Sequence, residues 1–312
     1  MSLDPESANL DLPEGVRLFE RGWLSSNSIL FVSDQEAVLV DSGYASHAHQ
    51  TLALVRAALG SRPLDRLLNT HLHSDHCGGN ALLQATYPQL VTAIPPGSAP
   101  AVRDWDLPKL SFLATGQSCS RFRFDALLRP QTTVQLAGLP WQVHGSPGHD
   151  ADSVVLFQPQ YRVLVSADAL WQNGFGVVFE ELEGGKAFTD VAATLDLIER
   201  LAPAIVLPGH GPAFTCIPQA LAAARKRLQH FISAPDKHAH YAAKVLLKFK
   251  LLELQRWPFE QLSAWAQSTP YLLMVHERFF GHVELRSWIA GLVQDLVRGG
   301  AARLEDGTVL NS

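Results

Sequence analysis

The sequence has few cysteines and no long apolar run, and each absence excludes a class of protein. Three cysteines, Cys77, Cys119 and Cys216, are too few and too widely spaced among 312 residues for a disulfide framework. We therefore expect a reducing compartment and a cytoplasmic protein. No apolar run reaches the length of a membrane span, so we expect no membrane partner.

A secretory start, disorder and strong basic charge are also missing. Met1–Glu6 is acidic and polar, unlike the start of a secretory signal. Apolar residues make up 47% of the chain and charged residues 18%, a composition typical of globular proteins. Residues 1–225 carry 14 basic and 22 acidic side chains (−8), whereas residues 226–312 carry 11 and 8 (+3). So weakly basic a tail gives little evidence for nucleic-acid binding.

The chain has no Gly-x-Ser-x-Gly segment to indicate a serine nucleophile, but it has a dense histidine cluster. Three imidazoles and one carboxylate fall within six residues: His71, His73, Asp75 and His76. Side chains alternate along an extended chain, so His71 and His73 can point the same way. Asp75 and His76, on the turn that follows, aim at a second point. Imidazole and carboxylate are zinc ligands, and the cluster predicts a site for one or two metal ions.

Apolar patterning predicts a mixed sheet covered by helices. Asn27–Val32 and Ala37–Val40 form a predicted hairpin, and His47–Leu59 has helical spacing. A short strand, Leu64–Leu68, precedes the histidine cluster, and a helix begins at Asn80. This β-β-α-β-α order is typical of a mixed sheet with helices on its face. Later strands are predicted at Val91–Ile94, Thr133–Leu136, Trp141–His144, Val154–Phe157, Arg162–Ser166 and Ala204–Leu207.

Two later segments complete this part of the chain. Thr189-Asp190 is predicted to cap a helix over Val191–Leu201. Residues 95–130 lack clear periodicity, and two interpretations stay open for them: an active-site lid, or a short helical insertion on the surface.

Further candidate ligands stand where predicted strands end beside Gly or Pro. They are His149, Asp168 and His210. Asp41 ends an earlier strand, and we favour an organising role for it, in which its carboxylate accepts N–H bonds and holds the ligand loop. Cys77 could supply a thiolate, although a small buried residue is the favoured interpretation. Taken together, these positions predict convergent loops at one edge of a sheet.

In this order, these residues resemble the motifs of the metallo-β-lactamase-fold hydrolase superfamily. The resemblance covers about residues 20–215 and consists of Asp41, His71-x-His73-x-Asp75-His76, His149, Asp168 and His210. It implies the α/β (α+β) class, as a four-layer αβ/βα sandwich of two similar halves with a dinuclear site at one edge. We take residues 1–217 as this catalytic domain.

The resemblance also implies roles for the ligands and a reaction. His71, His73 and His149 would hold the first metal, and Asp75, His76 and His210 the second. Asp168 would bridge them, as in the hydroxyacylglutathione-hydrolase, lactonase and RNase-type branches. Zinc is the default for both divalent ions, with iron or manganese as alternatives.

A hydroxide bridging the ions would attack a small-molecule ester, thioester or lactone, with Asp75 as the catalytic carboxylate that orients it. The first alternative is RNA phosphodiester cleavage by the same site. The second is a metal-binding scaffold that reads nucleic acid through its tail.

Residues 218–312 are predicted to form a second, mostly helical domain. Its predicted elements are helices Pro218–Ile232, His238–Gln255, Pro258–Gln267 and Val283–Val297, then a hairpin, Ala302–Leu310, turning at Asp306-Gly307. This order resembles the winged-helix-like tail of some superfamily members, including a β-lactamase-like RNA endonuclease. Its last helix offers only Arg286 and Arg298, against Glu284 and Asp295, which favours packing or homodimer contact over nucleic-acid binding.

Overall fold

The computed structural model describes residues 10–312, and the chain separates into two units. The first consists of the chain up to Asp106 together with Cys119–Gln229. The second consists of Leu107–Ser118 and His230–Ser312. The polar stretch Met1–Glu6 lies outside the described residues. That residues 218–312 form a functional domain of their own stays a prediction.

The first unit contains two sheets, and the first of them is mixed. Its strands, in spatial order, are β1 (Val16–Phe19), β2 (Ser28–Val32), β3 (Ala37–Val40), β4 (Arg66–Leu68), β5 (Val91–Ile94) and β6 (Ala126–Leu127). The β1–β2 and β2–β3 pairs are antiparallel, which confirms the predicted hairpin. The pairs β3–β4, β4–β5 and β5–β6 are parallel, so these strands end at one edge of the sheet.

The second sheet has five strands, and two of them also run parallel and end at one edge. Its strands, in spatial order, are β11 (Ile205–Pro208), β10 (Val163–Ala167), β9 (Val154–Gln158), β8 (Leu139–Gly145) and β7 (Thr132–Leu136). Only β10 and β11 run parallel; the other pairs are antiparallel. The register of β10 shifts just before Ala167, which has a left-handed φ of 46°. This bulge turns the chain where β10 ends.

One apolar core joins the inner faces of the two sheets. Val38 and Val40 of the first sheet belong to the same buried cluster as Val154 and Val165 of the second. The rings of Phe31 and Trp141 meet edge to face in this cluster, with centroids 5.1 Å apart. Alternation along each strand sends every second side chain into this layer.

Helices connect the strands, and some of them cover the outer face of the first sheet. The helices up to residue 233 are α1 (Ala48–Leu59), α2 (Ser74–Cys77), α3 (Asn80–Thr86), α4 (Ala99–Asp104), α5 (Phe179–Leu182), α6 (Ala187–Leu201) and α7 (Ile217–Ser233). Val55 of α1 and Leu83 of α3 form a second buried cluster with Leu39, whose side chain lies on the outer face of the first sheet. The predicted helix-covered α/β sandwich is confirmed.

The predicted cap of α6 is wrong. The helix begins at Ala187, so Thr189 and Asp190 lie inside it. Its burial pattern explains the earlier start, because Ala187 and Phe188 are both buried. A more distant carboxylate replaces the cap: Glu181 accepts a hydrogen bond from the Phe188 amide at 3.0 Å.

Residues 95–130 contain a helix and a strand. Helix α4 and strand β6 both belong to the first unit, and Leu107–Ser118 belongs to the second. Phe112 and Phe122 are buried, so these two aromatic residues are core residues. The helix agrees with the helical-insertion interpretation, and a lid over the site stays a prediction.

The second unit is mostly helical. Its further elements are α8 (Pro235–Leu254), β12 (Arg256–Pro258), α9 (Phe259–Ala266), α10 (Pro270–Val275), α11 (Leu285–Arg298), β13 (Ala302–Glu305) and β14 (Thr308–Asn311). The hairpin predicted about Asp306-Gly307 is confirmed, and β12 adds a third, unpredicted strand to it. The winged-helix resemblance stays a prediction.

The two arginines of α11 are paired within the unit. Arg286 contacts Glu260 at 2.6 Å, and Arg298 contacts Asp295. The helix buries Ile289, Leu292 and Val293, which supports a packing role. That it does not bind nucleic acid stays a prediction. Across residues 10–312, no helix has the length and apolar character of a membrane span.

Truncation of Trp141 tests the inter-sheet core. We expect Trp141→Ala to lower the free energy of unfolding by about 3–5 kcal/mol, because a large, fully buried ring leaves a cavity between the sheets. Urea denaturation followed by circular dichroism measures the change. Tyr161→Ala is the matched control, since Tyr161 is 38% exposed in the turn before β10. A loss below about 1 kcal/mol for Trp141→Ala would contradict this account of the core.

Candidate metal centre

The structure brings three of the predicted side chains together as one potential ligand group. His71, His73 and His149 each offer a ring nitrogen, and these nitrogens all lie within 4.8 Å of one another. His73 Nδ1 is 2.7 Å from His149 Nε2. His71 and His73 follow β4, and His149 follows β8, so the group draws on both sheets.

The other four predicted side chains form a second group. Asp75, His76, Asp168 and His210 also offer ligand atoms within 4.8 Å of one another. His210 Nε2 lies 3.0 Å from Asp75 Oδ2, and His76 Nε2 lies 3.9 Å from the same oxygen. Asp75 and His76 lie on the one-turn helix α2, where the sequence predicts a turn.

Asp168 lies between the two groups. Its Oδ2 is 3.4 Å from His149 Nε2 of the first group. Its Oδ1 is 3.4 Å from His76 Nε2 of the second, and its Oδ2 is 3.8 Å from His210 Nε2. All seven predicted side chains therefore meet in one place, with this carboxylate in contact with both sets.

Asp41 organises the site, as predicted. Its Oδ2 accepts a hydrogen bond from His76 Nδ1 at 2.8 Å, and its Oδ1 accepts one from the Thr70 amide at 2.9 Å. A carboxylate only accepts, so His76 carries its proton on Nδ1 and turns Nε2 toward the ligand group.

The same carboxylate fixes His71 through Thr70. The Thr70 hydroxyl donates to Asp41 Oδ2 at 2.7 Å. Having used its single proton, this hydroxyl accepts a hydrogen bond from His71 Nδ1 at 3.2 Å. His71 Nε2 then bears a lone pair that points into the site.

A backbone carbonyl fixes His149 in a similar way. The Val177 carbonyl accepts a hydrogen bond from His149 Nδ1 at 2.7 Å, which leaves Nε2 without a proton in the neutral ring. Trp171 Nε1 donates to Asp168 Oδ1 at 3.2 Å and holds that carboxylate in place. Thr70, Trp171 and Val177 were missed as supporting groups, because a carbonyl or a lone polar residue leaves no motif.

Two glycines make room for the ligands. A Cβ at Gly209 would lie 2.1 Å from Asp168 Oδ1, and a Cβ at Gly176 would lie 2.3 Å from His149 Nδ1. Neither distance is physically possible for a non-bonded pair. The site therefore depends on the absence of side chains at both positions.

Burial keeps the first group of imidazoles neutral. It lowers the pKa of His71 well below its ordinary value, and neighbouring histidines add to the effect. It also lowers the pKa of His73, and it lowers the pKa of His149 to about 4. Neutral imidazole is the form that binds a metal ion.

The carboxylates of the second group are ionised. Burial by itself would raise the pKa of Asp168, but His210 and His76 hold it well below its ordinary range. Burial by itself would likewise raise the pKa of Asp75, but His76 and His210 lower it.

The charge of His76 is favoured by its neighbours. Burial opposes the charged form, yet Asp168, Asp41 and Asp75 raise the pKa of His76 well above its ordinary value.

These side chains fit divalent metal ions. Three ring nitrogens, His71 Nε2, His76 Nε2 and His210 Nδ1, are buried without a hydrogen-bond partner. Buried polar atoms seldom lack a partner, and for the two Nε2 atoms aimed into the ligand groups a metal ion supplies one. Imidazole and carboxylate suit zinc, iron and manganese.

Cys77 does not belong to either ligand group. It is fully buried, and its Sγ contacts the His73 carbonyl at 3.3 Å and Cys119 Sγ at 3.8 Å. Burial raises the pKa of this thiol well above its ordinary value. The favoured interpretation of Cys77 as a small buried residue is confirmed.

The family match covers the part of the chain that carries the site. The sequence model of the Metallo-beta-lactamase superfamily matches residues 21–210, which include all seven candidate ligands and Asp41.

Two curated relatives share a name. A hydroxyacylglutathione hydrolase of Synechococcus sp. (strain JA-3-3Ab) is 29% identical over 171 residues, covering 53% of this chain and 57% of that protein. A hydroxyacylglutathione hydrolase of Anaeromyxobacter dehalogenans (strain 2CP-C) is 32% identical over 206 residues, covering 64% of this chain and 69% of that protein. The alignment with the first thus spans little more than half of that relative's length.

A solved structure supports the fold over nearly the whole chain. The crystal structure of a metallo-beta-lactamase family protein from Thermus thermophilus has a TM-score of 0.57 and 19% identity, covering 96% of this chain and 99% of that one. At this identity the likeness concerns the fold alone. The family match over residues 21–210, which is more than half of the chain, shows that the chain belongs to the metallo-beta-lactamase superfamily.

Proposed function

We propose that this protein is a dinuclear metal-dependent hydrolase that cleaves an ester, a thioester or a lactone. The observation that carries the proposal is the position of Asp168, whose two oxygens lie 3.4 Å from a histidine of each ligand group. Family membership supports the hydrolase class. Two relatives named for a thioester substrate support carbonyl chemistry over phosphodiester cleavage.

The two ligand groups suggest one ion each. We assign His71, His73 and His149 to the first ion, and Asp75, His76 and His210 to the second, with Asp168 shared. Zinc suits this donor set best, since it accepts imidazole and carboxylate together without a thiolate. Such a pair of ions supplies a water molecule acidified to near neutrality and positive charge for the developing oxyanion.

The chain's own residues orient the water and receive its proton. Asp75 is ionised, and its Oδ2 already accepts a hydrogen bond from His210 Nε2 at 3.0 Å. Because its carboxylate is ionised and belongs to the second ligand group, Asp75 is placed to hold the attacking water and to accept a proton from it. Asp41 has no such role, because both of its oxygens are occupied by Thr70 and His76.

Metal content tests the shared carboxylate. We expect the wild-type protein to retain two equivalents of divalent metal after dialysis, and Asp168→Asn to lose at least one, because the amide has the same shape without the charge. Elemental analysis by mass spectrometry measures the content. Asp196→Asn is the matched control, since Asp196 is an exposed aspartate on α6 of the same unit. Equal metal content in all three proteins would overturn the assignment.

A substrate panel tests the reaction class. The zinc-loaded protein should turn over at least one of a set of esters, thioesters and lactones. Asp75→Asn should lower kcat by about 10²–10⁴-fold, the usual loss when a proton acceptor is removed, whereas Asp196→Asn should not. Metal content measured beside each rate separates proton transfer from metal loss. Turnover of phosphodiesters alone, by a protein with bound metal, would replace carbonyl cleavage as the proposed reaction.

A further inference from the structure

Two tryptophans flank the His210 side of the site. The Trp23 ring stacks on the His210 ring, with centroids 5.4 Å apart and planes within 6°. The Trp171 ring meets both of these rings nearly edge-on, each at 5.4 Å. We call Trp23 and Trp171 the aromatic wall. Trp171 also holds the Asp168 carboxylate in place, whereas the metal-binding role of the site does not require Trp23.

The wall is built on well-anchored loops. Trp171 is held by its Nε1 bond to Asp168 and by a backbone bond from its amide to the Gly174 carbonyl at 2.7 Å. The loop of Trp23 is tied to the end of β11, because Asn27 Nδ2 donates to the carbonyls of Pro208 and Gly211 at 2.9 and 2.7 Å. The wall therefore has a fixed position relative to the ligands.

Trp23 carries more exposed surface than a core role requires. It is 55% exposed, whereas the residues that follow it, Leu24 to Ser28, are all buried. Indole surface in contact with water is unfavourable, and covering it releases free energy in proportion to its area. An exposed, anchored aromatic residue beside a reactive centre is typical of a substrate contact.

The basic side chains near the wall argue against an anionic occupant. The only basic side chain in residues 20–27 and 168–176 is Arg21, which is buried and donates to Thr51 and Gln50 at 2.9 and 2.8 Å. Arg227 lies against Gly174 and donates to the Phe175 carbonyl at 3.4 Å. These two cations are thus engaged with the protein.

We propose that the aromatic wall binds an uncharged apolar group of the substrate, next to the bond that is cleaved. The inference rests on the proposed function and narrows its substrate class to esters or thioesters with an apolar acyl or leaving group. In the reaction, water adds to the carbonyl carbon and the C–O or C–S bond breaks. The products are a carboxylic acid and an alcohol or thiol, which takes up the remaining proton.

Chain-length series test the wall. One series extends the acyl group from acetyl to octanoyl with a constant leaving group, and the other extends an alkyl leaving group on an acetyl ester or thioester. The wild-type protein should prefer the longer members of one series by about tenfold or more in kcat/KM. Whichever series shows the preference identifies the half of the substrate that contacts the wall.

Variants separate contact from structure. Trp23→Ala should remove the preference through a rise in KM that grows with chain length, and Trp23→Phe should restore most of it. Tyr161→Ala, which truncates an exposed aromatic residue before the opposite end of β10 from Asp168, should leave the preference intact. An equal loss for all chain lengths in Trp23→Ala, or no preference in the wild type, overturns the proposal.

Binding of inert analogues distinguishes this inference from the proposed function. Thioethers carrying the same chains cannot be hydrolysed, and calorimetry measures their affinity for the metal-loaded protein. Suppose that no ester or thioester is turned over, but affinity still rises with chain length and falls in Trp23→Ala. The proposed reaction is then wrong, and the proposed binding role of the aromatic wall is supported. If esters are turned over and neither rate nor affinity depends on Trp23, the proposed binding role of the aromatic wall is wrong and the proposed reaction is supported.

Discussion

The carboxylate of Asp41 is the constraint on which the ligand arrangement depends. Through one direct bond and one relayed by Thr70, it fixes the protons of His76 and His71 on their Nδ1 atoms. His71 then presents a bare Nε2 atom to the site, and His76 turns its Nε2 toward the second ligand group. Because Asp41 follows β3 and the two histidines follow the neighbouring β4, the parallel pairing of these strands aligns carboxylate and imidazoles.

The site draws on two sheets, and its strained backbone conformations lie where one strand of each sheet ends. Asp41, at the end of β3, has a φ of 59°, and Ala167, just before Asp168, has a φ of 46°. Non-glycine residues rarely adopt these values, and the cost is offset by the surrounding hydrogen bonds. In both places the left-handed turn aims a carboxylate inward. The left-handed conformations of Asp41 and Ala167 interrupt the regular strands and direct the Asp41 and Asp168 carboxylates toward the site.

The sequence predicted which side chains meet at the site better than it predicted their surroundings. His71 to His76 and the strand-end positions of Asp168 and His210 follow from spacing, because strand ends at one edge of a sheet converge. The predicted bounds of the strand Val91–Ile94 were confirmed, because they follow from the pattern of apolar residues. The cap of α6 was not predictable, since Glu181 reaches it from outside the helix. Trp23 was also missed, because an isolated aromatic residue in a loop has no periodicity.

The close approach of Gly209 and Gly176 to the ligands has a consequence for how the site can change. Neither residue supplies a functional group, yet a single added methyl group would overlap Asp168 or His149. These two positions should therefore be as intolerant of mutation as the ligands themselves. A search for catalytic residues by chemical type would pass over both. The substitutions that this centre tolerates are thus limited in part by two residues that have no side chain.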